Sequence, residues 1–267
     1  MYSCINLHFT DFCNYHCKHC FVKKENYELS FDELKTIVDK IQKYFSDNNI
    51  KGRINLAGGE PLMSRNIDKI IEYISSKNID VSIITNGYYL DDAFIERHIN
   101  QISTIGISVD SLDYDTNIKI GRCFKANVLS KEQLIHVCNK IRNSGIKLKI
   151  NTCISKLNIN EKFNDFINEV KPDRYKILQM SCDEHDIRNR NNVVSDDEVN
   201  TFLSRLDYKY IYENAEEMKY SYIIIDSEGK ISTDNTHISN ISIFDYDLEE
   251  AIKLLNVDYK NYIKRYI

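Results

Sequence analysis

Proline and glycine are scarce, two and eight among 267 residues. With 42% hydrophobic and 28% charged residues, that scarcity excludes collagen-like, mucin-like and broadly disordered chains. Long apolar runs are missing as well: none approaches the roughly 20 residues that span a bilayer. The stretch Met1 to Thr10 has neither the basic start nor the apolar middle of a secretion signal. A cytoplasmic protein with no membrane partner is expected. A basic surplus is also absent. The net charge is −5, the opposite of the footprint left by wrapping nucleic acid, so no nucleic-acid partner is expected and an anionic ligand must be met by local charge. Cysteine, by contrast, is present eight times. Without an export signal these are metal ligands or buried thiols rather than disulfides. Cys13, Cys17 and Cys20 fall close together, while Cys4, Cys123, Cys138, Cys153 and Cys182 stand alone.

Hydrophobic periodicity gives the architecture. Cys4 to Thr10 alternates as a strand and runs into the cysteine loop. Ser30 and Glu33 form a capping box, after which Leu34, Ile37, Val38, Ile41, Tyr44 and Phe45 mark one helix face. Further strands are expected at Arg53–Ala57, Val81–Thr85, Thr104–Val109, Ile146–Cys153 and Asp173–Met180. Helices fall between them near Ile67–Ile74, Asp91–Asn100, Ser130–Ser144 and Asn160–Val170. Such alternation means right-handed βαβ units and a parallel sheet. The expected fold class is α/β, a partial (βα)6 barrel over residues 1–183. After about residue 185 the pattern changes to a polar stretch (Asp186 to Asn192), a helix capped by Ser195 with Glu198, a hairpin over Tyr222 to Ser232, and a helix holding Leu248, Ala251, Ile252 and Leu255. Residues 184–267 are read as an extension capping the same structural unit.

Strand parity then says what faces inward, because successive side chains alternate between the helix side and the lumen. Ile54 and Leu56 take the helix side and send Arg53, Asn55 and Ala57 inside. Leu148 and Ile150 leave Lys149 and Asn151 inside; Tyr175 and Ile177 leave Arg174 and Lys176. Ile105, Ile107 and Val109 leave Gly106, Ser108 and Asp110. Several inward cations carry a large desolvation penalty unless an anion meets them, so a small polyanion is the natural partner. The alternative is that they merely pair with Asp110 and Glu60.

Two motifs lie at the carboxyl ends of strands, where parallel α/β sheets bind ligands. Cys13, Cys17 and Cys20 form CxxxCxxC directly after the first strand, able to hold three irons of a 4Fe-4S cluster and leave the fourth without a protein ligand. A zinc site completed by His16 or His19 stays open on this motif alone. Gly58, Gly59, Glu60 and Pro61 follow the second strand, where glycines expose backbone groups and Glu60 offers a carboxylate to an ammonium.

Together these motifs resemble the radical S-adenosylmethionine enzymes, whose cluster motif is CxxxCxxC and whose GGE motif holds the methionine amino group. Within that superfamily the chain resembles the viperin family, in its soluble prokaryotic form. The matching blocks run in order from about residue 3 to the C-terminus: Cys13 to Phe21, Ile54 to Leu62, Thr85 to Gly87, Ile107 to Ser111, Ile120 to Arg122, Lys149 to Asn151, Arg174 to Lys176, and Met218 to Asp226. His19 stands where the family has another aromatic residue, Arg53 where animal members have Lys, and the amphipathic membrane helix of animal members has no counterpart. Ser232 to Ile238 matches poorly, which leaves base selectivity open.

The resemblance implies a partial barrel of the radical S-adenosylmethionine type that converts a nucleoside triphosphate (CTP, UTP or GTP) to its 3′-deoxy-3′,4′-didehydro analogue, with a role in antiviral defence. It implies Cys13, Cys17 and Cys20 on the 4Fe-4S cluster, and Gly58, Gly59, Glu60, Asn86, Ser108 and Arg122 around S-adenosylmethionine. It implies Arg53, Arg122, Lys149, Asn151, Lys176 and Tyr222 around the nucleotide, with Tyr222 a proton or hydrogen donor or a lid, and an electron donor of flavodoxin or ferredoxin type. The alternatives are a superfamily member acting on a peptide or RNA, and a non-catalytic iron-sulfur or zinc protein. Cys123, Cys138, Cys153 and Cys182 form no CxxC pair and are read as buried thiols.

Overall fold

The computed structural model describes residues 1–22, 24–181, 189–234 and 239–266. Cys182, the first residues of the expected polar stretch and the last of the poorly matching segment lie outside the described residues. In chain order the elements are β1 (Cys4–Thr10), α1 (Phe31–Asp47), β2 (Arg53–Gly58), α2 (Ile67–Ser76), β3 (Asp80–Thr85), α3 (Asp92–Arg97), β4 (Ile102–Ser108), α4 (Tyr114–Ile120), α5 (Lys131–Asn143), β5 (Lys147–Ile154), α6 (Asn164–Val170), β6 (Arg174–Gln179), α7 (Asp196–Leu203), β7 (Ile211–Glu213), α8 (Ala215–Met218), β8 (Ile224–Ile225), β9 (Ile231–Ser232), α9 (Leu248–Leu254) and α10 (Tyr259–Tyr266). Six βα units are present, as the periodicity requires.

The sheet runs β7-β6-β5-β4-β3-β2-β1-β8-β9, every neighbouring pair parallel except the hairpin β8–β9. Six strands and a C-terminal hairpin were expected. The hairpin is β8–β9, which joins the sheet beside β1, and one further strand, β7, lengthens the other edge. The helix expected over Asp91–Asn100 is confined to α3, and that over Asn160–Val170 to α6, while α4, α8 and α10 were not anticipated.

The apolar sides form one core. Ile54, Leu56, Ile105, Ile107, Leu148, Ile150, Tyr175 and Ile177 all pack there against α1, α2, α5 and α6. Burying each such side chain contributes ~1.5–3 kcal/mol, so the parity is enforced strand by strand. Ser30 caps α1 with the expected reciprocal box to Glu33; a cap of this kind is worth about 1 kcal/mol.

The opposite face curls into a lumen. Three strands separate β1 from β5, yet the Cys4 thiol at the start of β1 feels the charges of Lys149 and Lys176. Helix α10 bridges β1 to β6 and β7 across the lumen. The Tyr262 hydroxyl accepts from Cys4 N at 2.7 Å and donates to Cys4 O at 3.1 Å, and Asn6 Nδ2 donates to the Tyr266 hydroxyl at 3.0 Å. On its other side Arg265 pairs with Glu213 of β7, while Arg174 Nη2 donates to the Arg265 carbonyl at 2.5 Å. Among the described residues, no helix is long and apolar enough to cross a membrane.

Candidate active site

The rim of the lumen is built at the carboxyl ends of β1 to β5. Its first piece is the cysteine loop, pinned by His16 N and Lys18 N donating to the carbonyls of Gly121 and Ile120. Cys13 and Cys17 are half-buried and Cys20 is exposed, all three free thiols. Cys13 Sγ accepts from Tyr15 N at 3.4 Å and lies 4.0 Å from Asn86 Nδ2. Burial pushes the Cys17 thiol up to about 12, so it is a thiol at neutral pH and becomes a thiolate when a metal binds and displaces its proton to solvent. Among the described residues no three His, Cys, Asp or Glu side chains already stand in a metal-binding array. The donor chemistry nevertheless fits an iron-sulfur cluster: three soft thiols on one short loop with amide donors behind them. It fits zinc less well, because both candidate fourth ligands are engaged elsewhere. His16 Nδ1 lies 3.2 Å from Lys24 Nζ and His19 Nε2 lies 3.1 Å from Asp110 Oδ2.

The glycine turn after β2 is laced to the start of that loop. Gly59 N donates to Thr10 O and Glu60 N to Phe12 O, each at 2.7 Å. A Cβ on Gly58, whose φ is +125°, would stand 2.3 Å from Thr10 O, and one on Gly59 would stand 2.2 Å from Phe12 O. Two backbones touch here because neither residue has a side chain. Glu60 is fully buried and accepts from Leu62 N, the Thr85 hydroxyl and Asn86 N. Burial raises its carboxyl above the usual range despite these donors. No cation pairs with it among the described residues, so a carboxylate is left for an incoming ammonium.

Beside it an open cleft is lined by Tyr15, Asn86, Ser108, Asn117, Arg122 and Leu129, among others. Of the residues expected around S-adenosylmethionine it gathers Asn86, Ser108 and Arg122. Arg122 is pinned there: Nε donates to Asp110 Oδ2 at 2.6 Å, Nη2 pairs with the same oxygen, and Nη1 donates to Ser108 O at 3.3 Å. Burial works against the Asp110 charge, but Arg122 and His19 outweigh it and hold its carboxyl well below the carboxylate range.

The floor holds the cations. Lys149, Arg174 and Lys176 face inward as expected, and Arg53 faces them from β2. The alternative that they pair with Asp110 and Glu60 does not hold, since Asp110 is taken by Arg122 and Glu60 by neutral donors. Their carboxylate is Glu213, which the sequence reading missed. Lys176 Nζ stands 2.6 Å from Glu213 Oε1, Arg265 Nη1 pairs with Oε2, and the Tyr222 hydroxyl donates to Oε2 at 3.1 Å. The Arg265 guanidinium lies 3.8 Å from the Tyr222 ring centroid. Burial pulls Lys176 down to about 8 with Glu213 only partly offsetting it. Burial, with Lys176 and Arg174 adding repulsion, holds Lys149 well below the ordinary lysine range. Nε of Arg53, Arg174 and Arg265 and Oδ1 of Asn151 are buried without partners.

Thus Arg53, Lys149, Asn151, Lys176 and Tyr222 come together on the floor, while Arg122, expected there as well as beside the cofactor, stands at the rim. Arg265 carried no signal beyond a helix patterned Tyr259, Tyr262, Tyr266. Cys138 is buried as read, and Cys4 is buried too, but Cys123 and Cys153 are only half-buried because the first sits on a loop and the second at the open end of β5.

The profile of the Radical SAM superfamily matches residues 7–170. The S-adenosylmethionine-dependent nucleotide dehydratase of Psychrobacter lutiphocae is 32% identical over 98% of this chain and 94% of its own, and that of Selenomonas ruminantium 31% over 98% of both. The crystal structure of Streptococcus suis SuiB bound to precursor peptide SuiA shares the fold, with a TM-score of 0.70 at 16% identity over 100% of this chain and 67% of SuiB. The chain therefore belongs to the radical SAM superfamily and, within it, to the viperin-like S-adenosylmethionine-dependent nucleotide dehydratases.

Proposed function

We propose that this enzyme converts a nucleoside triphosphate (CTP, UTP or GTP) to its 3′-deoxy-3′,4′-didehydro analogue, with the phosphates on the cation floor and the ribose turned toward the cysteine rim. One observation carries the reading. Arg53, Lys149, Arg174, Lys176 and Arg265 converge on a buried lumen in which Glu213 alone pairs with any of them, among the described residues. Such a surplus is relieved either by lysines giving up protons or by a polyanion that keeps them charged, and a triphosphate brings about four negative charges at neutral pH. Spacing agrees with it. From Lys149 to Cys153, whose thiol feels Cys17 and Cys20, β5 rises about 13 Å, room for a ribose between phosphates and rim.

In this reading Cys13, Cys17 and Cys20 hold the 4Fe-4S cluster, while Gly58, Gly59, Glu60, Asn86, Ser108 and Arg122 receive S-adenosylmethionine. A cluster held there, with electrons from a flavodoxin- or ferredoxin-type donor, would supply reductive cleavage of S-adenosylmethionine and so a 5′-deoxyadenosyl radical able to take the C4′ hydrogen. The chain's own part is placement. Bidentate arginines and short lysine contacts fix the triphosphate, and a buried lumen keeps solvent from the reacting carbon. Tyr222, with its hydroxyl donating a hydrogen bond to Glu213 and its ring against Arg265, serves as a wall of the phosphate site.

Anaerobic reconstitution, reduction with dithionite and incubation with S-adenosylmethionine and each nucleotide test this. Nucleotide-dependent 5′-deoxyadenosine and a dehydrated nucleotide are expected; an intact cluster giving neither with any nucleotide rejects the reading.

Two further outcomes follow. Nucleotide KM should climb as pH rises through about 8, where Lys176 loses its charge in the free enzyme; a KM flat across that range contradicts the floor assignment. Gly59→Ala should cost most of the iron taken up on reconstitution, since a Cβ 2.2 Å from a backbone oxygen has no rotamer to escape into. Gly145→Ala, with nothing within 4 Å and a φ of +82°, should leave iron uptake unchanged and cost only about 1–2 kcal/mol of stability.

A further inference from the structure

The Glu213 carboxylate is buried, and the two innermost cations converge on it. Lys176 approaches one oxygen and Arg265 the other, from β6 and α10, and the Tyr222 hydroxyl donates from the strand side. Lys149 on β5 adds its charge to the same site. The arrangement is that of a bound phosphate group: two cations and a hydroxyl around two acidic oxygens. Around it, three guanidinium Nε atoms and the Asn151 carbonyl oxygen remain open. The lumen is thus an anion site partly filled by the protein's own carboxylate.

We propose that Glu213 is a resident counter-anion of the phosphate site, which balances Lys176 and Arg265 in the free enzyme and is displaced from them when a polyphosphate binds. The inference rests on the nucleotide reading of the lumen and adds a residue that sets affinity. Two opposed consequences separate this role from that of a simple scaffold. A scaffold that aims Lys176 and Arg265 at the ligand weakens binding when removed. A resident competitor, once removed, leaves buried cations that only the ligand can satisfy, so the free state suffers and binding tightens.

The test is calorimetric binding of CTP and of inorganic triphosphate to reconstituted wild type, Glu213→Gln and Glu213→Asp, with melting temperatures in both states. For Glu213→Gln the expected result is binding tighter by roughly tenfold or more for both ligands. Its melting temperature should be lower without ligand, and ligand should raise it by more than in wild type. Glu213→Asp, which keeps the charge but cannot span both cations, should fall between. Equal or weaker binding by Glu213→Gln and Glu213→Asp overturns the proposal, as does a ligand-induced rise in melting temperature no larger than that of wild type. If Glu213→Gln fails to fold, Glu213→Asp decides by the same sign. Wild type that binds inorganic triphosphate but shows no nucleotide-dependent 5′-deoxyadenosine leaves the counter-anion standing and removes the nucleotide reading; wild type that binds neither ligand removes both.

Discussion

Cys17→Ala should abolish both 5′-deoxyadenosine and dehydrated nucleotide, with activity falling below detection rather than by a modest factor. The three cysteines sit on one loop that is pinned at both ends of its turn, by Lys18 and His16 to the 120–121 segment and by Gly59 and Glu60 to residues 10–12. No spare thiol on that loop can replace Cys17, and of the two histidines beside it one is held at Lys24 and the other at Asp110. Two remaining thiolates cannot present the iron corner that the cofactor needs. Iron content and the visible absorbance of the reconstituted variant check this directly. A variant that keeps a full complement of iron and cleaves the cofactor would show that Cys17 is no ligand.

Lys149→Ala and Lys176→Ala should each raise nucleotide KM by roughly ten- to a hundredfold, the worth of one charge-assisted contact in a buried site. Nucleotide-independent cleavage of the cofactor should change far less, because neither lysine touches the rim. The two variants should part company in stability. Lys149 has no ion-pair partner among the described residues and is repelled by Lys176 and Arg174, so its removal should stabilise the fold while impairing function. Lys176 holds Glu213 at 2.6 Å, and without it the carboxylate keeps only Arg265 and Tyr222, so that variant should gain little or lose stability. Steady-state kinetics with thermal melts read both halves. Unchanged nucleotide KM in both variants would mean that the phosphates bind elsewhere.

Much of this site was legible because two rules with little freedom wrote it. A strand packed against helices must alternate, so once Leu148 and Ile150 are outside, Lys149 and Asn151 have nowhere else to point. A cluster loop must carry its ligands at short spacing, so Cys13, Cys17 and Cys20 announce themselves. Glu213 and Arg265 obey neither rule. Strand β7 is three residues long, too brief to show a period, and its one acid looks like any surface acid. In α10 a charged residue beside Lys264 suggests a solvated face, yet Arg265 is buried because Glu213, which lies far from it in sequence, waits on the far edge of the sheet. Arg122 was expected at two places, and only the fold separates them, since Asp110 takes its charge and holds it at the rim rather than on the floor.

The bonds between Cys4 and Tyr262 join positions 258 apart. Because the ribosome delivers a chain from its amino end at about 5–20 residues per second, most of the barrel can collapse while the closing segment is still untranslated. During that interval the cationic hollow lies open on one side, and its repelling charges lack the Arg265 bridge to β7. A long loop must then be closed in the final step, which carries an entropic barrier. That step is completed only when Arg265 reaches Glu213 and Tyr262 reaches Cys4, so one short helix closes the hollow and ties the first strand to the last part of the chain.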